Sequence, residues 1–231
     1  MKGEIYQDGS YLDNNPTWDI EDSPWKVLQI KKLLEKNDIN PTTIGEVGCG
    51  AGEIIKQLWI SFDCKADSKG FEISKQAYEI CKKKAKDNLS YHLEDITKTD
   101  ELFDLLLVID VFEHVDDYIG FLRKLHKCAK YKVFHIPLDM SVQSVFRVSP
   151  ILNARAKVGH LHYFNKETAL MSLEYAGYKI IDSFFTAGGI ETFRPGFGRK
   201  ALFLPRKLAY YLNQDLAARI LGGFSLMVLT E

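Results

Sequence analysis

Thr43-Ile44-Gly45-Glu46-Val47-Gly48-Cys49-Gly50-Ala51-Gly52 decides the fold. A short β-prone run ends at Val47, three glycines follow at alternate positions, and a helical pattern with Ile54, Ile55, Leu58 and Trp59 begins at once. Glycines so placed let the backbone turn tightly and approach a ligand that a Cβ would exclude. A dinucleotide site of the Gly-x-Gly-x-x-Gly kind needs glycine at the sixth position, where this chain has Glu53. A carboxylate at that mouth repels a pyrophosphate and suits a cationic ligand.

The same texture continues outward. Strands are expected at Ser68–Phe71, Leu89–Leu93, Phe103–Ile109, Lys132–Ile136, Tyr178–Thr186 and Phe224–Thr230. The run from Phe103 to Ile109 reads as buried on both faces, and Pro137 is expected to stop the strand before it. Helices are expected from Ser74, around Ile119–Leu125, from the N-cap Asn165 to the C-cap Gly177, and from about Arg206 to Leu221. Upstream, Ser23 as N-cap and Pro24 at the first helical position open a helix ending near Asn37. Alternation of this kind requires a mostly parallel sheet covered on both faces, which binds ligands at the carboxyl ends of its strands.

Composition sets the outer limits. The 231 residues are 46% hydrophobic and 26% charged with net charge −1, a globular balance that excludes a disordered or fibrous chain. No run approaches the ~20 apolar residues of a membrane span, and the polar start Met1-Lys2-Gly3-Glu4 has no signal-peptide core. Cys49, Cys64, Cys81 and Cys128 form no Cys-x-x-Cys, so the expected setting is a reducing cytoplasm without structural zinc. From Met140 to Glu231 there are 11 Lys and Arg against 6 Asp and Glu, so this part carries +5 and the remainder −6. Thr192–Gln214 holds Arg194, Arg199, Lys200, Arg206 and Lys207 with no acid, a solvated face or a surface for an anion or headgroups.

With these motifs in view, the chain resembles a class I S-adenosylmethionine-dependent methyltransferase, over roughly Asn40 to Ala187 with a family-type final strand at Phe224–Thr230. The resemblance implies a doubly wound α/β fold: a mostly parallel seven-stranded sheet, helices on both faces and an antiparallel last strand. It implies S-adenosylmethionine as cofactor. Glu46 with Gly48, Gly50 and Gly52 matches the motif that curls around the methionine part, and Glu72 with Ile73 matches the ribose-gripping acid after the second strand. Asp95 and Ile96 match the adenine contact, and Asp110-Val111-Phe112-Glu113-His114 matches an acid-x-Leu-Glu-His segment after the fourth strand, with Phe112 in the Leu place.

Gly159-His160-Leu161-His162-Tyr163-Phe164 resembles a family segment before the following helix, and His160 is the candidate base or acceptor contact. His162 and His135 are expected to be structural, and Asp139 is a further possible contact. Asp110, Glu113, His114 and His160 also resemble the metal-ligand set of small-RNA 2′-O-methyltransferases. Asp110 stands where that group carries Glu, and ordinary methyltransferases share Glu113-His114 without metal, so no metal site is expected.

Residues 1–39 are expected to form an N-terminal segment and helix, with Tyr11, Trp18 and Trp25 either a substrate lid or a staple for the helix. Residues 40–231 form the cofactor domain, with acceptor-specific insertions at about 137–159 and 188–223, the latter interleaving Phe193, Phe197, Leu202, Phe203 and Leu204 with basic residues. The expected partner is a small-molecule or glycan acceptor, possibly anionic, methylated on a hydroxyl. Lipid or quinone methylation at a membrane surface and a non-catalytic cofactor-binding module are the alternatives. A net charge of −1 argues against nucleic acid.

Overall fold

The computed structural model describes residues 15–18, 20–192 and 200–231. Tyr11, Phe193 and Phe197 lie outside these, and of Leu202 only the backbone is described. Seven strands, β1 (Thr43–Val47), β2 (Asp67–Glu72), β3 (Leu89–Leu93), β4 (Phe103–Ile109), β5 (Ala129–Leu138), β6 (Ile180–Thr186) and β7 (Phe224–Thr230), form one sheet in the order β3-β2-β1-β4-β5-β7-β6. β1 to β5 run parallel, and β7 is antiparallel to both β5 and β6. The winding reverses between β1 and β4, so the loops after these two strands face a common crevice.

The helices are α1 (Ser23–Lys36), α2 (Glu53–Ser61), α3 (Lys75–Cys81), α4 (Tyr118–Leu125), α5 (Val142–Arg147), α6 (Ser149–Val158), α7 (Lys166–Ala176), α8 (Gly188–Glu191), α9 (Lys200–Leu212) and α10 (Gln214–Leu221). β4 shows why its sequence is apolar throughout. Leu105, Leu107 and Ile109 pack with Val27, Ile30 and Leu33 of α1 and Ile55 and Leu58 of α2. Leu106 and Val108 pack on the other face with Leu122 and Leu125 of α4 and Leu173 of α7. Each such side chain taken from water contributes about 1.5–3 kcal/mol.

Strands β2, β5 and β6 shift by one to three residues at their ends, and three differences from the sequence reading have a clear physical cause. β5 runs through Pro137 to Leu138 rather than stopping before it. His135 O accepts from Asp110 N, so odd-numbered residues of β5 turn their amides toward β4. β4 ends opposite His135, and the missing N–H of Pro137 therefore costs no ladder bond. A 3-10 turn, Ile20–Asp22, leads into α1 and makes Ser23 its first residue, with Asp22 at the cap. The single helix expected from about Arg206 to Leu221 is two, because the Asn213 side chain accepts from Leu216 N and starts α10 afresh. Asn165 and Gly177 cap α7 as expected, Gly177 in the left-handed region at φ 106°.

Candidate active site

The loop after β1 turns on Gly48, Gly50 and Gly52, all at positive φ. At Gly52 the need is doubly physical: with φ +73°, a Cβ would also lie 2.7 Å from Cys81 Cβ, and the Tyr91 ring would be closer still. The Tyr91 hydroxyl donates to Gly52 O at 2.9 Å and fixes the bend against β3. Beneath it, Glu46 is buried and its Oε2 accepts from Ile55 N at 3.1 Å. Burial pushes the Glu46 carboxyl up to about 8, with the Ile55 bond and Lys26 pulling it back.

Glu72, at the end of β2, turns back toward this bend. Its Oε2 accepts from Gly50 N at 2.8 Å, and its Oε1 accepts from Ile73 N at 2.8 Å and Ser74 N at 2.7 Å. Burial raises its pKa and the three backbone bonds lower it, burial prevailing. A carboxylate offers about four lone-pair directions. One on Oε2 remains for a ligand.

A cavity of about 1190 Å³ opens over the bend. Glu46, Gly48, Gly50, Glu72, Ile73, Asp110 and His160 of the expected site line it. Gly52, behind the bend, does not, nor do Asp95 and Ile96. Ile96 is buried in the core, and Asp95 Oδ1 accepts from Thr97 N at 3.0 Å and Thr97 Oγ1 at 2.7 Å.

At the base of the crevice Asp110 adopts φ 54°, a left-handed conformation that Asp tolerates. Its Oδ1 lies 2.6 Å from His135 Nδ1 and its Oδ2 2.7 Å from Lys26 Nζ. Burial opposes its ionisation, but His135 and Lys26 outweigh burial and hold the carboxyl far below the usual range. His135 Nε2 reaches Thr186 Oγ1 at 3.0 Å, so this histidine is both a structural link and part of the wall. Sequence reading missed Lys26; nothing in the α1 pattern marks one lysine among several.

His114 and His160 also line the cavity, and Glu113 is buried beside them. Glu113 O accepts from Leu161 N at 2.8 Å and His162 N at 3.1 Å, which ties the His160 segment to the loop after β4. His160 Nδ1 lies 2.5 Å from Asp139 Oδ2, and the His160 ring meets His114 edge-on with centroids 4.9 Å apart. Burial, and then His160, push His114 down to about 4, so its imidazole is neutral near pH 7. Glu113 is fully buried, and neither carboxylate oxygen has a hydrogen-bond partner. Burial, Asp110 and Asp139 raise its pKa well above the ordinary range. One donor atom from each of Glu113, His114 and His160 lies within 4.8 Å of the others, and these are the described residues that could hold a metal ion. His162 instead bonds Val115 O at 2.9 Å and packs on Tyr118.

The N-terminal aromatics do two jobs. Trp18 and Trp25 both line the cavity. Trp25 Nε1 also donates to Glu191 Oε2 at 2.7 Å, and its ring meets His135 edge-on at 6.0 Å, which staples α1 to α8 and the sheet.

Sheet order and glycine bend together form the α/β architecture of the class I methyltransferase fold. Residues 45–134 match a family model described as a methyltransferase domain. Among solved structures, the plantazolicin methyltransferase BpumL in complex with S-adenosylhomocysteine aligns with a TM-score of 0.61 at 16% identity, over 99% of this chain and 93% of that one. The N-methyltransferase NodS from Bradyrhizobium japonicum WM9, also with S-adenosylhomocysteine, aligns at 0.58 and 15% identity over 95% and 96%. Magnesium protoporphyrin IX methyltransferase from Synechocystis PCC 6803 aligns at 0.59 and 12% identity over 90% and 82%. No curated protein matches the chain in sequence. The stretch 45–134 is thus a methyltransferase domain by sequence, and the chain as a whole has the fold of the class I S-adenosylmethionine-dependent methyltransferases.

Proposed function

We propose that this enzyme methylates a hydroxyl of a small-molecule or glycan acceptor. The carrying observation is that His160, which lines the cavity, lies with its Nδ1 2.5 Å from Asp139 Oδ2. With Nδ1–H donated to Asp139, Nε2 of His160 keeps its lone pair and serves as the proton acceptor for a hydroxyl. Asp139 fixes the tautomer and steadies the imidazolium that forms.

The cofactor supplies an activated methyl on a sulfonium. Glu72 and the bend at Gly48, Gly50 and Gly52 would hold its ribose and methionine ends, with Ile73 against the nucleoside. For the adenine end the reading uses Asp95 Oδ2 and the backbone at Ile96, beyond the cavity wall at the end of β3. Asp110, held ionised, supplies negative potential, and Glu46 adds to it only on giving up its proton; in-line displacement then depends on how firmly this frame holds the reactants.

Among the described residues seven acids line the cavity against one lysine, Lys26. That field attracts a sulfonium and opposes an anion, which supports a neutral hydroxyl at the reacting end, any anionic part of the acceptor lying outside. Relatives in fold are named for substrates as different as plantazolicin and magnesium protoporphyrin IX, so the acceptor class rests on this chain's own wall. The reading also takes residues 1–39 as a partial lid, through Trp18 and Trp25, over a domain of residues 40–231.

The test is product analysis with isotopically labelled cofactor and a panel of hydroxyl-, amine- and carbon-acid acceptors. An O-methyl product is expected, with His160→Ala lowering kcat by about 10²–10⁴ and leaving KM nearly unchanged. Asp139→Asn should shift the acidic limb of the pH profile and lose less. An N- or C-methyl product, or an unaffected His160→Ala enzyme, refutes the assignment.

A further inference from the structure

The helices on the outer side of the cavity leave much of their apolar surface uncovered. Among the described residues twenty large hydrophobic side chains are exposed, and twelve fall within Met140–Leu152 or Leu204–Ile220. α5 presents Val142, Val145 and Phe146 at three- and four-residue spacing, with Phe146 88% exposed. Val148 follows between α5 and α6 and Leu152 on α6, Leu204, Leu208, Tyr211 and Leu212 recur along one side of α9, and α10 adds Leu216 and Ile220. α10 packs on both α5 and α9, and α5 on α6, so the four helices form one connected layer. Soluble monomers rarely leave such a concentration uncovered without a use for it.

Charge points to what covers it. No acid lies between Met140 and Val158, where Arg147, Arg155 and Lys157 are exposed. α9 has no acid and carries Lys207, and Asp215 of α10 is paired with Arg219. Apolar stripes flanked by Lys and Arg match the interfacial layer of an anionic bilayer. A second copy would bring the same positive rim and be repelled. The layer also reaches the site: Val158 at the end of α6 and Phe203 of α9 line the cavity.

We propose that α5, α6, α9 and α10 form a docking surface for an anionic lipid bilayer, bringing the cavity mouth to the headgroup layer. The surface gives the enzyme access to an acceptor carried on a lipid, its anionic group held by the basic rim and its hydroxyl entering the acidic cavity. This use rests on the methyltransferase reading; the docking itself does not.

The full chain is sedimented with phosphatidylcholine vesicles, with and without phosphatidylglycerol, at low and high salt. Binding should require phosphatidylglycerol and weaken with salt. Phe146→Asp with Leu208→Asp should lower the partition coefficient at least about tenfold, since each change removes an apolar group that leaves water on docking. Arg155→Glu with Lys157→Glu should remove the preference for the anionic lipid, whereas Met171→Asp, exposed on α7, should change nothing. Thermal melting and S-adenosylhomocysteine binding verify that each variant folds. Absence of binding to phosphatidylglycerol vesicles, or binding indifferent to the Phe146 and Leu208 changes, overturns the proposal. A dimer in light scattering that these changes dissolve, without vesicle binding, assigns the face to a second copy. Vesicle binding needs neither cofactor nor turnover, so its failure leaves the enzymatic reading standing, and the reverse holds.

Discussion

Glu72→Gln isolates the role of one carboxylate. Glu72 accepts three backbone N–H bonds, from Gly50, Ile73 and Ser74. Gln has nearly the same shape but a single acceptor oxygen. The better orientation keeps that oxygen on Ile73 and Ser74, and then its amide N–H₂ faces Gly50 N–H, donor against donor. Losing one charge-assisted bond in this way costs about 1.5–3 kcal/mol. The lower end applies here, because Gly50 lines the cavity and water can reach its N–H. A loss of about 2 kcal/mol in folding stability is expected, read from denaturant midpoints. Ligand binding should suffer separately, since the lone pair left on Oε2 is replaced by a donor that cannot accept from a ribose hydroxyl. One such bond predicts a rise of about 10- to 100-fold in the dissociation constant. Calorimetry with S-adenosylhomocysteine measures it directly. A constant within about threefold of the parent, in a variant that is destabilised as expected, would show that Glu72 only braces the bend.

Cofactor binding should release protons. Glu46 titrates near 8 in the folded chain against 4.5 in an ordinary glutamate, so at neutral pH it carries a proton that a nearby sulfonium disfavours. Affinity for S-adenosylmethionine should therefore rise with pH up to about 8, by at most about tenfold per unit, and much less for uncharged-sulfur S-adenosylhomocysteine. The same raised pKa makes the Glu46 contribution to folding stability fully present below 4.5 and lost as pH climbs through 8. Calorimetry in buffers of different ionisation enthalpy checks the first point; identical pH dependence for the two ligands contradicts it. Glu113→Gln should fold and retain most activity, because burial, Asp110 and Asp139 already keep this acid protonated. Loss of activity at unchanged stability would mean that the carboxylate form is required.

Much of the frame was legible in the linear order of residues. β1, β3, β4 and β7 occupy the residues expected of them, because each is an apolar run bounded by turn-forming residues, and such runs have few other ways to hide. The caps Asn165 and Gly177 and the glycine bend are equally local, since their chemistry is exercised within a few bonds of themselves. Pro137 shows the limit: whether a missing N–H matters depends on where the neighbouring strand ends, and that is a property of register between β4 and β5.

The site itself was half visible. Glu46, Glu72, Asp110 and His160 carried recognisable patterns, but their partners did not. Lys26 meets Asp110 only because α1 packs across the end of β4, and Trp25 meets Glu191 only because α8 follows the turn out of β6. Sequence alone determined which strands and bends exist, since those follow from short-range propensity and periodicity. Tertiary structure decided which charges face one another, that Asp139 orients His160 and that Glu113 is sealed from solvent. Such pairings join residues that approach only after the sheet has wound, and electrostatic energies depend on that final separation and burial rather than on order along the chain.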